Sequence, residues 1–172
     1  MTINHNKKIP YIDFEDKVLL ATIGGEILLK LQQNPGMTLR EATGVSDEAL
    51  EQIYSLAYTY YEQGKYQEAA ALFQFNAGAS PTTYKYLLGL GASFQQMGHY
   101  EEAIKGFFTA ACLEPENPTP SYYLIDCLLK QNLLEEAEEA ARLTAKICGN
   151  RVEYRELKQR CLLIARSLKN KK

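Results

Sequence analysis

Two histidines and four cysteines are all that the chain has of soft metal ligands, and their spacing holds no metal. Cys112, Cys127, Cys148 and Cys161 form no C-x-x-C pair, and His5 and His99 stand alone. All four cysteines fall among apolar positions of helical pattern, which predicts reduced, buried thiols and a reducing cytosol. His99 follows a turn glycine and reads as a solvated side chain. The chain has no glycine-rich phosphate loop and no Ser, Cys or His constellation fit for nucleophilic chemistry, so neither an enzyme, a cofactor nor a metal is expected. Long apolar runs are missing too. The richest, Val18 to Leu31, is interrupted by Glu26 and Lys30 and falls short of the ~20 residues that a membrane span needs. Met1 to Ile12 lacks the basic start, apolar core and cleavage site of a signal peptide. A net charge of −2 predicts no bulk attraction to nucleic acid or membrane. The ten Lys or Arg against two Glu from Arg142 onward read as a solvated face, because no aromatic interleaving or nucleic-acid motif accompanies them.

What the chain does contain is one pattern written twice. Leu56, Ala57, Tyr60, Gly64, Tyr66, Ala69, Phe73 and Pro81 recur 34 residues later as Leu90, Gly91, Phe94, Gly98, Tyr100, Ala103, Phe107 and Pro115. Each slot keeps its physical type. Leu56, Ala57 and Tyr60 share one stripe of a first helix, and Ala69 and Phe73 one stripe of a second. Ala57 and Gly91 are small where the paired helices cross, and Phe73 and Phe107 fill the wedge beside the crossing. Gly64 and Gly98 can take the left-handed conformation that closes a helix; Pro81 and Pro115 mark the stop of each second helix. A weaker third copy keeps Leu124, Leu128, Leu134 and Ala137, with Ile125 in the small slot, Asn132 for the turn glycine, Ala141 for Phe and Gly149 for Pro. Asn tolerates the left-handed turn, and Ile125 predicts a wider crossing. A period of this length resembles the tetratricopeptide repeat, a helix–turn–helix unit that stacks into a solenoid.

The expected architecture is all-α: a flexible tail over 1–13, an N-terminal helical segment over 14–49, three tetratricopeptide repeats over 50–151, and a capping helix with a basic tail over 152–172. Asp13 is placed to cap a helix from Phe14 to Gln33 that Asn34-Pro35-Gly36 closes. A short helix over Thr38 to Thr43 precedes Gly44, and Ser46 caps the first repeat helix with Asp47 and Glu48 at its positive end. At the other end Tyr154, Leu157, Cys161, Ile164 and Leu168 form one apolar stripe suited to covering the last repeat. Leu20, Ile23, Ile27 and Leu31 form another stripe on the N-terminal helix, with Leu19 and Leu28 adjoining. It either covers the open end of the first repeat or is a self-association surface, and the two are compatible.

The first repeat helix carries a second stripe, Tyr54, Tyr58 and Tyr61, on a side other than its packing face. One apolar face serves the core, so a second implies a groove. First helices line the concave surface of such a solenoid, and the matching positions are Leu88, Ala92 and Gln95, then Tyr122, Asp126 and Leu129. Together they describe a mostly apolar trough for an extended peptide, centred on Tyr54, Tyr58, Tyr61, Leu88, Ala92 and Tyr122. The alternative is that the tyrosines pack beneath the N-terminal helix.

Gly36-Met37-Thr38-Leu39-Arg40, followed by Ile53-Tyr54-Ser55-Leu56-Ala57-Tyr58-Thr59-Tyr60-Tyr61-Glu62-Gln63-Gly64, resembles the class II chaperones of bacterial type III secretion, over roughly residues 14 to 168. The resemblance implies a cytoplasmic protein that holds a secreted translocator or gatekeeper client soluble and export-competent. It implies an extended client segment with Pro and Leu anchors in the concave groove, and a homodimer through the N-terminal helix (Leu20, Ile23, Ile27, Leu31). The small residue that the family usually carries at the third crossing is Ile125 here, and the tail before Asp13 is longer than typical. The rival reading is a general tetratricopeptide adaptor or co-chaperone. One that grips a C-terminal carboxylate needs Asn and several cations in the groove, where Lys85 is the one clear cation.

Overall fold

The computed structural model describes residues 25–169; the 1–13 tail, Leu20, Ile23, the start of the first helix and the last three residues lie outside them. The chain divides into two compact units, Met1–Gly44 and Val45–Lys172.

In the first unit residues 25–33 are helical (α1), and Asn34 ends them by bonding back to the Lys30 carbonyl. Helix α2, Leu39–Thr43, sits inside a capping box: Thr38 Oγ1 accepts from the Glu41 amide, and the Glu41 carboxylate accepts from the Thr38 amide. Those bonds to Thr38 hold the Glu41 carboxyl below the usual carboxylate range. Gly44 closes α2 at φ 66°.

The second unit is built from three helical hairpins: α3 (Asp47–Glu62) with α4 (Tyr66–Ala79), α5 (Tyr84–Gln96) with α6 (Tyr100–Leu113), and α7 (Pro118–Lys130) with α8 (Leu134–Cys148). A 3-10 turn (Val152–Tyr154) leads into α9 (Arg155–Lys169). Ser46 caps α3 as expected, its side chain accepting from the Ala49 amide.

The three hairpin turns are the same structure. Gly64 and Gly98 take φ of 76° and 77°, and Asn132 follows at φ 59°. In each, the amide after the turn residue reaches the carbonyl five residues back: Lys65 to Tyr60, His99 to Phe94, Leu133 to Leu128, all at 2.9 Å. This is the Schellman closure, and Asn132 meets its left-handed requirement without glycine. Pro118 opens α7 at its first turn, with Asn117 capping the Thr119 amide.

Packing follows the slots. Ala69, Ala103 and Ala137 are all fully buried, as are Ala57, Phe73 and Phe107. The second crossing is close: a Cβ on Gly91 would stand 2.8 Å from the Phe107 ring, and one on Gly106 would stand 3.0 Å from the Gly91 Cα. The third repeat reverses the pair. Ile125 fills the small slot and Ala141 takes the place of Phe, both buried in one cluster with Ala145, Cys161 and Ala165. The volume is exchanged across the helix pair, which close packing tolerates. Helix α9 supplies Cys161 and Ala165 to that cluster and Leu168 to the one around Leu128 and Ala137. Tyr154 is a correction to the capping stripe, because it lies in the 3-10 turn under the Arg151 guanidinium, 4.6 Å from its ring centre.

The cysteines also need one correction. Cys127, Cys148 and Cys161 are free and buried, but Cys112 is free and exposed. Helical periodicity placed it on an apolar helix without showing that its own face looks outward.

Candidate peptide-binding groove

The repeats are knitted by bonds between residues about one period apart. The Lys85 ammonium bridges Glu51, 34 residues earlier, at 2.7 Å to Oε1, and the Tyr86 hydroxyl donates to the same carboxylate at 3.1 Å. Asn117 donates to the Tyr84 hydroxyl, and Arg151 to the Glu116 carbonyl. Burial and the nearby Glu114 carboxylate push the Tyr84 hydroxyl up to about 12. Such ties join each repeat to the next.

The three tyrosines of α3 do not stand alike. The Tyr54 ring is half-buried, its centre 5.8 Å from Phe73 and 5.7 Å from Tyr86, with the Lys85 ammonium 4.7 Å over its face. It is anchored in the core. Tyr61 is half-buried against Tyr66, with ring centres 5.3 Å apart. Burial raises its pKa, opposed by a hydrogen bond with the Gln96 side chain. Tyr58 is 50 % exposed and is the one of the three whose ring stands largely free. Leu88 and Ala92 are half-buried on the cluster of Ala103, Phe107 and Cys127, forming the floor at the second repeat. Tyr122 lies on the Ile125 cluster, edge-on to Tyr123 with centres 6.1 Å apart. The Arg160 guanidinium of α9 lies beside its hydroxyl.

The structure adds residues to this set. A cleft of about 460 Å³ is lined by Gln95, Gln96, Tyr100, Tyr122, Tyr123 and Asp126. Gln95 and Asp126 are groove positions by the repeat register. Gln96, Tyr100 and Tyr123 were missed, because Tyr100 occupies a packing slot and Tyr123 stands where the earlier repeats carry Ser55 and Gly89. At Gly89 a Cβ would come within 2.6 Å of the Phe73 ring; the Tyr123 ring instead stacks on Phe107, 5.4 Å away at 25°.

Lys85 is engaged by Glu51, which weakens the case for a carboxylate-gripping role. Among the described residues no group of three or more His, Cys, Asp or Glu could hold a metal ion, and no helix is long and apolar enough to cross a membrane. In the first unit Ile27 and Leu31 are half-buried, while Leu28 and Leu29 are exposed by 68 % and 53 %.

Two family models match, one described as "Anaphase-promoting complex, cyclosome, subunit 3" over residues 39–110 and one as "Tetratricopeptide repeat" over residues 94–161. The low calcium response locus protein H of Yersinia pestis is 33 % identical over 137 residues, covering 80 % of this chain and 82 % of that protein. The type III secretion chaperone SycD of Yersinia enterocolitica, solved with a peptide of the translocator YopD, is 34 % identical, with a TM-score of 0.70 over 73 % of this chain and 96 % of that one. SycD has also been solved as an alternative dimer. PcrH with the chaperone-binding region of PopD is 26 % identical, with a TM-score of 0.70 over 74 % of this chain and 96 % of that one. With its three hairpins, its capping helix and these relatives, the chain belongs to the tetratricopeptide-repeat translocator chaperones, class II, of bacterial type III secretion.

Proposed function

We propose that this chain is a cytoplasmic chaperone that holds an extended segment of a secreted translocator, or of a gatekeeper, in the trough running from Tyr58 over Leu88 and Ala92 to Tyr122. It does so without catalysis, cofactor or metal. The observation that carries the reading is the exposure of the Tyr58 ring together with the half-buried apolar Leu88 and Ala92, at repeat positions that line the concave surface of such a solenoid. Relatives solved with translocator segments support it. Tyr54 and Tyr61 act as walls: their rings are tied into the core, so their outer edges are pre-organised and lose little freedom on binding. The N-terminal stripe of Leu20, Ile23, Ile27 and Leu31 mediates a homodimer, with exposed Leu28 adjoining it.

Co-expression with the translocators of the same secretion system tests the groove. Tyr58→Ala should reduce co-purified translocator while the melting curve stays in place, since loss of a central aromatic anchor costs about 2 kcal/mol or more of binding. Phe107→Ala should instead damage the fold by ~3–5 kcal/mol. Capture unchanged by Tyr58→Ala, or unfolding caused by it, would remove these tyrosines from the binding surface.

A further inference from the structure

The cleft between the second and third repeats is chemically unlike the rest of the trough. Its walls are the rings of Tyr100, Tyr122 and Tyr123, and its charge comes from Asp126. The Gln95 amide donates to Asp126 Oδ2 at 2.8 Å, which holds the carboxylate in place without neutralising it. A carboxylate offers about four acceptor sites, and the Gln95 amide takes one of them. Lys85 is bound to Glu51; the Arg160 guanidinium stands beside the neutral Tyr122 hydroxyl, and neither it nor Lys130, one turn beyond Asp126, makes an ion pair with Asp126.

An apolar side chain seated here would strip water from an unpaired carboxylate, which is unfavourable without a compensating partner. An anion would be repelled. A guanidinium or ammonium would donate a charge-assisted hydrogen bond to Asp126 and pack its stem against the tyrosine rings that line the cleft. We infer that this cleft is a cation-selecting subsite, taking an Arg or Lys side chain of the bound polypeptide, with Asp126 as its specificity-determining residue. The inference rests on reading the concave face as a peptide groove. It assigns the end of the trough at the third repeat a polar anchor, in contrast to the apolar floor at Leu88 and Ala92.

Two small probes test it on the full chain: the N-acetyl, N′-methylamide derivatives of arginine and leucine, each titrated into ¹⁵N-labelled protein while the side-chain amides of Gln95 and Gln96 are followed. The arginine probe should shift these resonances saturably and bind about tenfold more tightly than the leucine probe. Asp126→Asn keeps the shape and an acceptor for Gln95, and Asp126 is exposed, so the fold should hold. In that variant the preference for arginine should vanish. Equal binding of the two probes, tighter binding of leucine, or a preference that survives Asp126→Asn overturns the proposal. The outcomes separate from those of the client test. Arginine selectivity with no translocator captured would leave the subsite standing and defeat the chaperone reading; capture without arginine selectivity would do the reverse.

Discussion

Gly91→Ala places two known effects in direct opposition. Alanine is the better helix former by ~1 kcal/mol in a helix interior, and Gly91 lies within α5, so propensity alone predicts stabilisation. The new Cβ, however, would stand 2.8 and 2.9 Å from two carbons of the Phe107 ring. That ring is fully buried and stacked on Tyr123, so it has little room to swing away. On the other side Gly106 leaves the α6 backbone close against Gly91, so the helices cannot part without losing that contact. Overpacking of this kind costs ~1–3 kcal/mol, which leaves a net loss of about 1 kcal/mol. For a chain of this length that lowers the melting temperature by ~2–4 °C. The third repeat shows the remedy, because Ile125 there faces Ala141 instead of Phe. Phe107→Leu should destabilise by itself, yet the double variant Gly91→Ala, Phe107→Leu should lose less than the sum of the two. The coupling should fall within ~0.5–3 kcal/mol. Thermal unfolding followed by circular dichroism reads all four proteins. A Gly91→Ala protein that melts higher than the parent, or strict additivity in the cycle, would refute the claim that this crossing is set by the Gly91–Phe107 contact.

Gly98→Ala, at φ 77° with open space around it, should destabilise by ~1–2 kcal/mol through backbone strain alone, while Asn132→Gly should be neutral or stabilising; melting temperatures of the two variants check this. In the folded protein a thiol reagent should modify Cys112 rapidly and Cys127, Cys148 and Cys161 only after unfolding, counted by mass spectrometry. Burial pushes the Cys127 thiol up to about 12 and Cys161 to about 11. Because the unfolded chain releases these protons near pH 8.5, their contribution is fully present below that pH and is lost as pH rises toward 11–12; melting at pH 10.5 should therefore be lower than at pH 8. Changing Ile23 and Ile27 to Asp should shift sedimentation to a smaller species, and an unchanged mass would exclude the N-terminal stripe from self-association.

The sequence alone was enough for the hairpins, their turns and their order. A slot pattern repeated at 34 residues encodes backbone geometry, and backbone geometry is local: Gly64, Gly98 and Asn132 each close a helix by bonds within six residues. The cap at Ser46 was legible for the same reason; Thr38, expected inside the short helix, caps it instead. Tertiary structure decided what side chains do when repeats stack, since neighbours then come from about one period away. Lys85 looked like a free cation until stacking set it on Glu51, and Asp126 gained its orientation from Gln95 of the previous repeat. Tyr54, Tyr58 and Tyr61 share one stripe, yet only the arrival of Phe73, Tyr86, Tyr66 and Gln96 half-buried two of them and left the third exposed. Cys112 differed from the other cysteines because its side of α6 received no helix to cover it. Periodicity names the face of each helix; which faces meet, and which stay open to a ligand, depends on how the helices stack.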